Sequence, residues 1–271
     1  MDYQVFDPIA SLQPFVKCFW TLDAEATPSP VRQRVVPDGC MEMIFNYGDR
    51  FYQYPENGSG FLQPQSFVFG QISSFLEIAP SGVTGIVAAR FLPEGLAPFL
   101  DCSVISLENK AVAIQELFGN AGDELENAIM QSVSNRERID QLESFLLARL
   151  ETPGTIDSIT RACVQTILKT QGQLGVDELA DKLNIHRRNM ERRFETAVGM
   201  SPKQLSRVVR LQSALKLMEQ KKYSNLTSLA YESGYYDQAH FIKDFKEFTG
   251  ISPKSFFADN LKLSTLFIGT E

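Results

Sequence analysis

Short hydrophobic and β-branched stretches, separated by residues rich in Pro, Gly, Asn and Asp, dominate residues 1 to about 92. This pattern predicts strands separated by turns, and a series of short strands with such turns is typical of a barrel or sandwich. The predicted strands are Phe15–Leu22, Val31–Val36, Cys40–Tyr47, Ser66–Gly70 and Thr84–Leu92. Pro37-Asp38-Gly39, between two of them, has the turn chemistry of a hairpin. We therefore expect a small β-barrel.

From Pro93 the hydrophobic positions recur at helical spacing. The predicted helices are Glu94–Leu100, Ala111–Phe118, Asp123–Val133 and Arg136–Leu150. In the last of these the apolar residues share one face, while the charged residues sit elsewhere. They are Ile139, Leu142, Phe145, Leu146 and Leu150. This stripe either packs on the barrel of its own chain or forms a dimer seam, and the pattern does not choose between the two.

The segment Glu151–Thr155 interrupts the helical pattern, because Pro restricts the residue before it and Gly loosens the chain. We place a domain boundary there, between residues 1–152 and an all-α domain of residues 155–260. The helices predicted for the second domain are Asp157–Thr170, Val176–Leu183, Arg187–Ala197, Pro202–Gln220, Leu226–Ser233, Gln238–Thr249 and Pro253–Ala258. The whole chain is thus predicted to be of the α+β class.

One phrase occurs twice in the second domain. Phe194 begins the pattern Phe-x4-Gly-x-Ser-Pro, and Phe245 begins it again. A Leu-Ala pair and a candidate turn precede each copy. Two units of helix, tight turn and helix with similar spacing predict paired helix-turn-helix modules, each offering its second helix to a DNA major groove. The long helix Pro202–Gln220 would join them rigidly.

Charge is distributed unevenly along the 271 residues, whose net charge is −7. Residues 158–258 hold 16 Lys and Arg against 10 Asp and Glu, a net charge of +6. Residues 1–157 hold 9 against 21, a net charge of −12. Because a phosphate backbone meets the local field and not the sum, the basic half can bind DNA although the whole chain is acidic.

Cysteines and histidines form no recognisable metal or redox motif. We expect buried, reduced thiols at Cys18, Cys40, Cys102 and Cys163, since a large chain with no signal peptide has ample core. Both histidines lie beyond residue 157, so a histidine-rich metal site cannot form in the barrel. No apolar run approaches the roughly 18 residues of a membrane span. We expect a cytoplasmic protein with no metal and no cofactor.

The candidate recognition helix of the first module starts at Arg187. Met190 and Phe194, four residues apart, should face inward. The opposite face carries side chains that can bond guanine or cytosine edges, namely Arg188, Glu191 and Arg192. The flanking arginines, better placed for phosphates, are Arg187 and Arg193. The alternative is an ordinary solvated basic face.

In the second module, four aromatic residues read as core: Tyr235, Phe241, Phe245 and Phe248. They leave Gln238, Ala239 and Lys243 as the candidate base contacts. His240 is a candidate phosphate contact or a surface or capping histidine. The acidic residues Asp237, Asp244 and Glu247 on the same helix predict weaker contacts from this module.

The segment Gly234–Pro253 contains the stretch Gly-Tyr-Tyr-Asp-Gln-Ala-His-Phe and ends Phe-Thr-Gly-Ile-Ser-Pro. It resembles the signature of the AraC/XylS transcriptional regulators, and the resemblance extends over about 100 residues. It implies two modules that insert recognition helices into successive major grooves, and it assigns base reading to the same six positions. Asn184 replaces the Gly usual in the first turn and His186 the usual small N-cap residue. Asn tolerates left-handed geometry, so the turn should form.

The N-terminal half is similar, less specifically, to the sensor half of a subset of these regulators. The matching stretches are Leu12–Val16 with Trp20, Val36–Gly39 with Glu42–Asn46, and Arg90–Leu96. The resemblance implies a cupin-like barrel that senses a molecule or dimerises. A pocket would combine apolar walls with a few charges. Its candidate residues are Trp20, Arg32, Arg34, Glu42 and Arg90, for which plain core or a solvated strand face is the alternative.

These observations favour a sequence-specific DNA-binding transcriptional regulator, controlled by a small-molecule effector in the barrel. Its partners would be promoter DNA, RNA polymerase and a second copy of the chain. The alternative is a regulator whose N-terminal domain only dimerises or binds a protein. An enzyme, such as a DNA-repair alkyltransferase with paired modules, would need an activated cysteine with basic neighbours or metal-ligating partners, and none of the four shows such surroundings. We therefore expect no enzymatic activity.

Overall fold

The described residues of the N-terminal half form ten strands. The computed structural model describes residues 1–55, 58–150 and 156–256. The strands are β1 (Asp2–Phe6), β2 (Val16–Ala24), β3 (Gln33–Val35), β4 (Glu42–Asn46), β5 (Phe51–Tyr54), β6 (Phe61–Leu62), β7 (Ser66–Phe69), β8 (Leu76–Pro80), β9 (Thr84–Phe91) and β10 (Ala111–Ala113). They form two antiparallel sheets, in the orders β1-β2-β9-β4-β7-β10 and β3-β8-β5-β6.

The central strands of the larger sheet are buried on both faces. Alternate residues of a strand point to opposite faces, and β9 is buried at all eight positions. One face, with Phe19, Phe45 and Phe91, packs against helices in the main hydrophobic core. The other face, with Trp20 and Ile86, packs towards the smaller sheet. The space between the two sheets is therefore separate from the main core, so a cavity with polar side chains can lie there.

Three helices cover the first face: α1 (Ile114–Phe118), α2 (Asn120–Gln131) and α3 (Asn135–Arg149). Ser134 caps α3, since its hydroxyl accepts a hydrogen bond from the backbone N–H of Glu137. The apolar stripe of α3 packs on its own chain, with Ile139, Leu142 and Leu146 fully buried against the larger sheet. Of the two arrangements that the sequence left open for this stripe, the structure has the intrachain one.

Seven helices make up residues 156–256. They are α4 (Ser158–Lys169), α5 (Val176–Lys182), α6 (Arg187–Val198), α7 (Pro202–Glu219), α8 (Leu226–Glu232), α9 (Gln238–Thr249) and α10 (Pro253–Phe256). An N-terminal β-rich region followed by a helical region confirms the α+β class. The predicted boundary at residues 151–155 lies outside the described residues, and so do Phe257 and Ala258 of the last predicted helix.

The repeated phrase ends one helix and starts the next. Gly199 and Gly250 end α6 and α9 in the left-handed conformation, with φ of +80° and +73°, a conformation that favours Gly. Ser201 then caps α7 by accepting a hydrogen bond from the backbone N–H of Gln204, and Pro202 occupies the first helical turn. The two copies therefore specify the same chain reversal.

Several predictions of local structure were wrong. The segment Pro37–Gly39 is not a hairpin turn, because β3 pairs with β8 while β4 pairs with β7 and β9, so the chain passes from one sheet to the other there. Only a short 3-10 helix, Ala97–Phe99, forms within Glu94–Leu100. Ala111–Ala113 pairs with β7 as a strand instead of starting a helix. The expected barrel is observed as two facing sheets, and its cupin-like nature stays a prediction.

Cysteine burial is mixed. All four thiols are free, with Cys18 and Cys163 buried, Cys40 half-buried and Cys102 exposed. The expectation of buried thiols was therefore wrong for Cys102, which follows Asp101 in a loop after the 3-10 helix. Burial raises the pKa of Cys18 and Cys40 to about 11. Both are thus poor nucleophiles at neutral pH, because the thiolate is the reactive form.

Candidate nucleic-acid interface

The first helix-turn-helix module consists of α5, a tight turn and α6. Asn184 takes the left-handed conformation in the turn, with φ of +50°, as expected for a residue that tolerates it. His186 precedes α6 but makes no side-chain cap. Met190 and Phe194 are fully buried in the core of the module, so the opposite side of α6 faces outward.

The arginines of α6 divide into two groups. Arg187 pairs with Asp177 at 2.9 Å and with Glu191 at 3.1 Å, and Arg193 pairs with Asp157 at 2.7 Å. Arg188 and Arg192 are exposed and form no ion pair with any residue that the structure describes. Arg192 has a long contact of 3.4 Å to the side-chain oxygen of Asn189. Of the candidate base contacts on α6, the two arginines without an ion pair are thus the ones presented to solvent, while Glu191 is held by Arg187.

Asp157 caps the N-terminus of α4 and forms an ion pair with Arg193. Its carboxylate accepts hydrogen bonds from the backbone N–H and hydroxyl of Thr160, at 3.0 and 2.9 Å. Burial alone would raise the pKa of Asp157, but these hydrogen bonds and Arg193 outweigh it and lower that pKa. Arg193 is therefore oriented by its own domain.

The second module consists of α8, a turn at Gly234 and α9. Asp237 caps α9 by accepting from the backbone N–H of His240 at 2.7 Å. Four aromatic side chains form its core as the sequence indicated: Tyr235, Phe241, Phe245 and Phe248. This core fixes which residues of α9 point away from the module.

The outward residues of α9 have different surroundings. Gln238 accepts a hydrogen bond from the Thr227 hydroxyl at 2.7 Å, and Ala239 is exposed. The imidazole of His240 lies 3.6 Å from the Asp244 carboxylate and edge-on to Tyr235. Lys243 is exposed and lines a cleft towards the N-terminal half. The side chains named by the sequence therefore lie on the accessible side, and Lys243 is the one that also lines the cleft.

Helix α7 ties the two modules together. The Arg207 guanidinium makes two hydrogen bonds to the Asp244 carboxylate, at 2.9 and 3.2 Å, and a third to Glu247 at 2.7 Å. Asp244 is almost fully buried, so its charge is compensated inside the protein by Arg207. These bonds raise the pKa of Arg207 despite its partial burial. The orientation of α9 is thus fixed to the linking helix.

A cavity of about 90 Å³ lies between the two sheets. It brings together three of the five residues that the sequence suggested for a pocket: Trp20, Glu42 and Arg90. Arg32 and Arg34 do not line it, because both turn to Glu77 on the outer side of β8. Arg32 lies over the Tyr54 ring and Arg34 over Phe75. The structure therefore corrects the sequence-based assignment of Arg32 and Arg34 to the pocket.

The charged end of the cavity is a buried cluster. Arg90 pairs with Asp38 and, at 2.6 Å, with Glu42, which also accepts a hydrogen bond from the Trp20 indole at 3.2 Å. The Arg90 side chain is only 3% exposed. Burial raises the pKa of Glu42, against the opposing effect of Arg90. Sequence reasoning missed Asp38 here, because it assigned that residue to a surface turn.

The two halves of the chain make direct contact. Gln212 of α7 donates to the Pro37 carbonyl at 2.6 Å, Arg161 of α4 to the Pro14 carbonyl at 3.2 Å, and Arg34 to the Thr249 carbonyl at 3.2 Å. A cleft of about 650 Å³ between them is lined by Lys243, Lys246 and Glu247 of α9, by Gly250 directly after it, and by residues around Phe75. The outward residues in the C-terminal half of α9 thus lie beside the N-terminal half of the chain.

Comparison with protein-family models gives two matches. Residues 179–259 match a "Helix-turn-helix domain", and residues 4–113 match a "Domain of unknown function (DUF6597)". The first match begins within α5 and covers the rest of the first module, the linking helix and the second module. None of the helices in the described ranges is long and apolar enough to cross a membrane, and no cluster of three metal-ligating side chains occurs among those residues.

Curated relatives match in the same region. The chain is 35% identical over 98 residues to an uncharacterised HTH-type transcriptional regulator of Haemophilus influenzae, covering 36% of this chain and 33% of that protein. It is 26% identical over 121 residues to the HTH-type transcriptional regulator GbdR of Pseudomonas aeruginosa, covering 45% and 27%. The matched part thus spans about a third or less of these relatives.

Among solved structures, ToxT of Vibrio cholerae aligns with 89% of this chain and 98% of its own at 12% identity and a TM-score of 0.48. The helix-turn-helix match, the regulator relatives and the paired modules on either side of α7 together show a helix-turn-helix domain of the AraC type, C-terminal to a β-rich region.

Proposed function

We propose that this protein is a sequence-specific DNA-binding transcriptional regulator, controlled by a small molecule that binds between its two sheets. The observation that carries the proposal is the pair of helix-turn-helix modules joined by α7, with Arg188 and Arg192 exposed on α6. Unpaired arginines on an outward recognition helix suit bidentate bonds to guanine in the major groove. The proposal places the protein with the DNA, in the cytoplasm.

The roles of single side chains follow from their surroundings. Arg188 and Arg192 would read bases in the first half-site, and Gln238, Ala239 and Lys243 in the second. Glu191 would read a base only after leaving Arg187, while Arg187, Arg193 and His240 would contact phosphates. Phosphate contacts give affinity and salt dependence but little sequence information. Residues 1–152 would form the sensor domain and residues 155–260 the DNA-binding domain.

Effector control is proposed as a shift between two arrangements of the domains. The contacts from Arg34 and Gln212 and the cleft beside Lys243 describe a closed arrangement, in which half of the outward face of α9 is next to the β-rich domain. An effector can favour a more open arrangement only by binding it more tightly. RNA polymerase and a second copy of the chain are the further partners of such a regulator.

Selection of bound sequences from a random duplex library tests the DNA part. The full-length protein should enrich two submotifs about one helical turn, or 10 base pairs, apart. The double variant Arg188→Ala/Arg192→Ala should lose the first submotif and keep the second. Lys169→Ala, which removes an exposed cation from α4, is the matched control and should keep both. If the double variant enriches the same two submotifs as the wild type, α6 does not read DNA.

A further inference from the structure

The chain between β3 and β4 is both a wall of the cavity and a contact of α7. We call residues Val35–Cys40 the shared segment. Val36 and Asp38 line the cavity, while the Pro37 carbonyl accepts the hydrogen bond from Gln212. Val36 also belongs to the hydrophobic cluster that contains Val208 and Leu211 of α7. One layer of backbone therefore separates the cavity from the helix that joins the two DNA-binding modules.

Gly39 packs closely against α7. Its φ is +81°, and a Cβ atom there would lie 2.7 Å from Cδ1 of Leu205. Its carbonyl also accepts a hydrogen bond from the Gln71 side chain at 3.0 Å. Because the left-handed backbone conformation favours Gly and this position lies against Leu205, a movement of the shared segment relative to α7 changes this packing.

On the cavity side, Asp38 fixes the shared segment. Its carboxylate accepts from the backbone N–H of Cys40 at 2.8 Å and pairs with Arg90. Arg90 is thereby the partner of both carboxylates at the charged end, Asp38 and Glu42. A ligand group that binds one of these carboxylates competes with Arg90. It thereby changes the ion pairs and hydrogen bonds that hold the shared segment in place.

The charge of this end selects the ligand. Among the lining residues in the described part of the chain, the charged groups are Asp38, Glu42 and Arg90, two carboxylates against one guanidinium. A cation makes the buried cluster neutral, whereas an anion doubles its excess charge in a medium of low dielectric. Trp20, Phe67 and Phe69 add aromatic faces, which attract cations. Burial is the main cause of the raised pKa of Glu42, and the neighbouring Asp38 carboxylate adds to it.

We propose that the cavity binds a compact monocation with an apolar body, and that the shared segment transmits its binding to α7. A cavity of ~150 Å³ holds benzene, so about 90 Å³ fits a body smaller than a benzene ring. A primary amine on a short branched alkyl chain has this size and charge. The inference rests on the proposed function, for which it names the ligand class and the route of regulation.

The binding test uses the full-length protein with isobutylamine and two matched probes, isobutanol and isobutyrate, at equal ionic strength. At about ten times its Kd the amine should raise Tm by about 3 °C, and the alcohol and the acid should leave it unchanged. Asp38→Asn removes the excess charge and should abolish the preference for the amine. No shift with the amine, or an equal shift with isobutyrate, overturns the ligand class.

Hydrogen exchange tests the route. Isobutylamine should change amide exchange in residues 205–215 of the wild type, and Gln212→Ala should keep the Tm shift but lose at least half of that change. An unaltered exchange response in Gln212→Ala overturns transmission through the shared segment. These readouts need no DNA: if no operator is selected but both responses occur, the proposed function fails alone, and if an operator is selected but neither response occurs, the inference fails alone.

Discussion

Single side chains in this protein act through the partners that hold them. Four arginines on α6 have the same chemistry in the sequence, yet only Arg188 and Arg192 are left without an ion pair among the described residues. Residue spacing predicted which residues share a face, because that depends on helix geometry alone. It did not predict the pairs with Asp177 and Asp157, which come from other helices.

Asp157→Ala should lower the free energy of unfolding by about 1 kcal/mol, because it removes the N-cap of α4. The pKa of Asp157 is lowered in the folded state, so its contribution is present above its unfolded pKa of about 3.9 and is lost as pH falls through the folded pKa. Urea unfolding of both proteins between pH 7 and pH 3 measures this. A difference in stability that stays constant down to pH 3 would contradict it.

At the scale of elements, the sequence predicted the helices of the C-terminal half to within one or two residues. The reason is local: caps, left-handed glycines and apolar spacing are all written in neighbouring positions, as in the phrase that starts at Phe194. The strands were harder. β1, β5, β6 and β8 were missed, and Pro37–Gly39 was taken for a hairpin, because sheet partners are chosen by distant residues.

The fixing of α9 to α7 gives a prediction at this scale. Arg207→Ala leaves the buried Asp244 carboxylate without its guanidinium partner and should cost about 3 kcal/mol of stability. In library selection the variant should weaken the second submotif more than the first. Lys203→Ala, an exposed cation on the same helix, is the control. A thermal melt that matches the wild type would show that Asp244 finds another partner.

At the scale of the whole molecule, the acidic and basic halves lie against each other. Arg34 links them through the Thr249 carbonyl, whereas Arg32 pairs with the same Glu77 but stacks on Tyr54 within the β-rich half. Arg34→Ala should therefore loosen the closed arrangement and raise operator affinity several-fold. Arg32→Ala should leave it unchanged. Fluorescence anisotropy on the selected operator measures both, and equal affinities for the three proteins would contradict an inhibitory contact.

Salt dependence separates DNA contact from domain contact. The logarithm of the DNA-binding constant falls linearly with the logarithm of the salt concentration. For each phosphate-contacting cation removed, this negative slope should become shallower by about 0.9. Arg193→Ala should show this change, whereas Arg34→Ala should alter affinity with the slope preserved. Titrations between ~50 and ~200 mM salt distinguish them. An unchanged slope for Arg193→Ala would mean that the pair with Asp157 persists on DNA.

The position of the shared segment limits how the two halves of such a protein can be recombined. A hybrid that joins this β-rich domain to another DNA-binding domain would bring Gly39 and Pro37 against a foreign helix. Unless that helix offers the equivalents of Leu205 and Gln212, the hybrid would bind its ligand and its operator independently. An exchange of sensor domains between regulators of this kind therefore has to include the face of α7 that contacts the shared segment. The response of DNA binding to the ligand depends on that face.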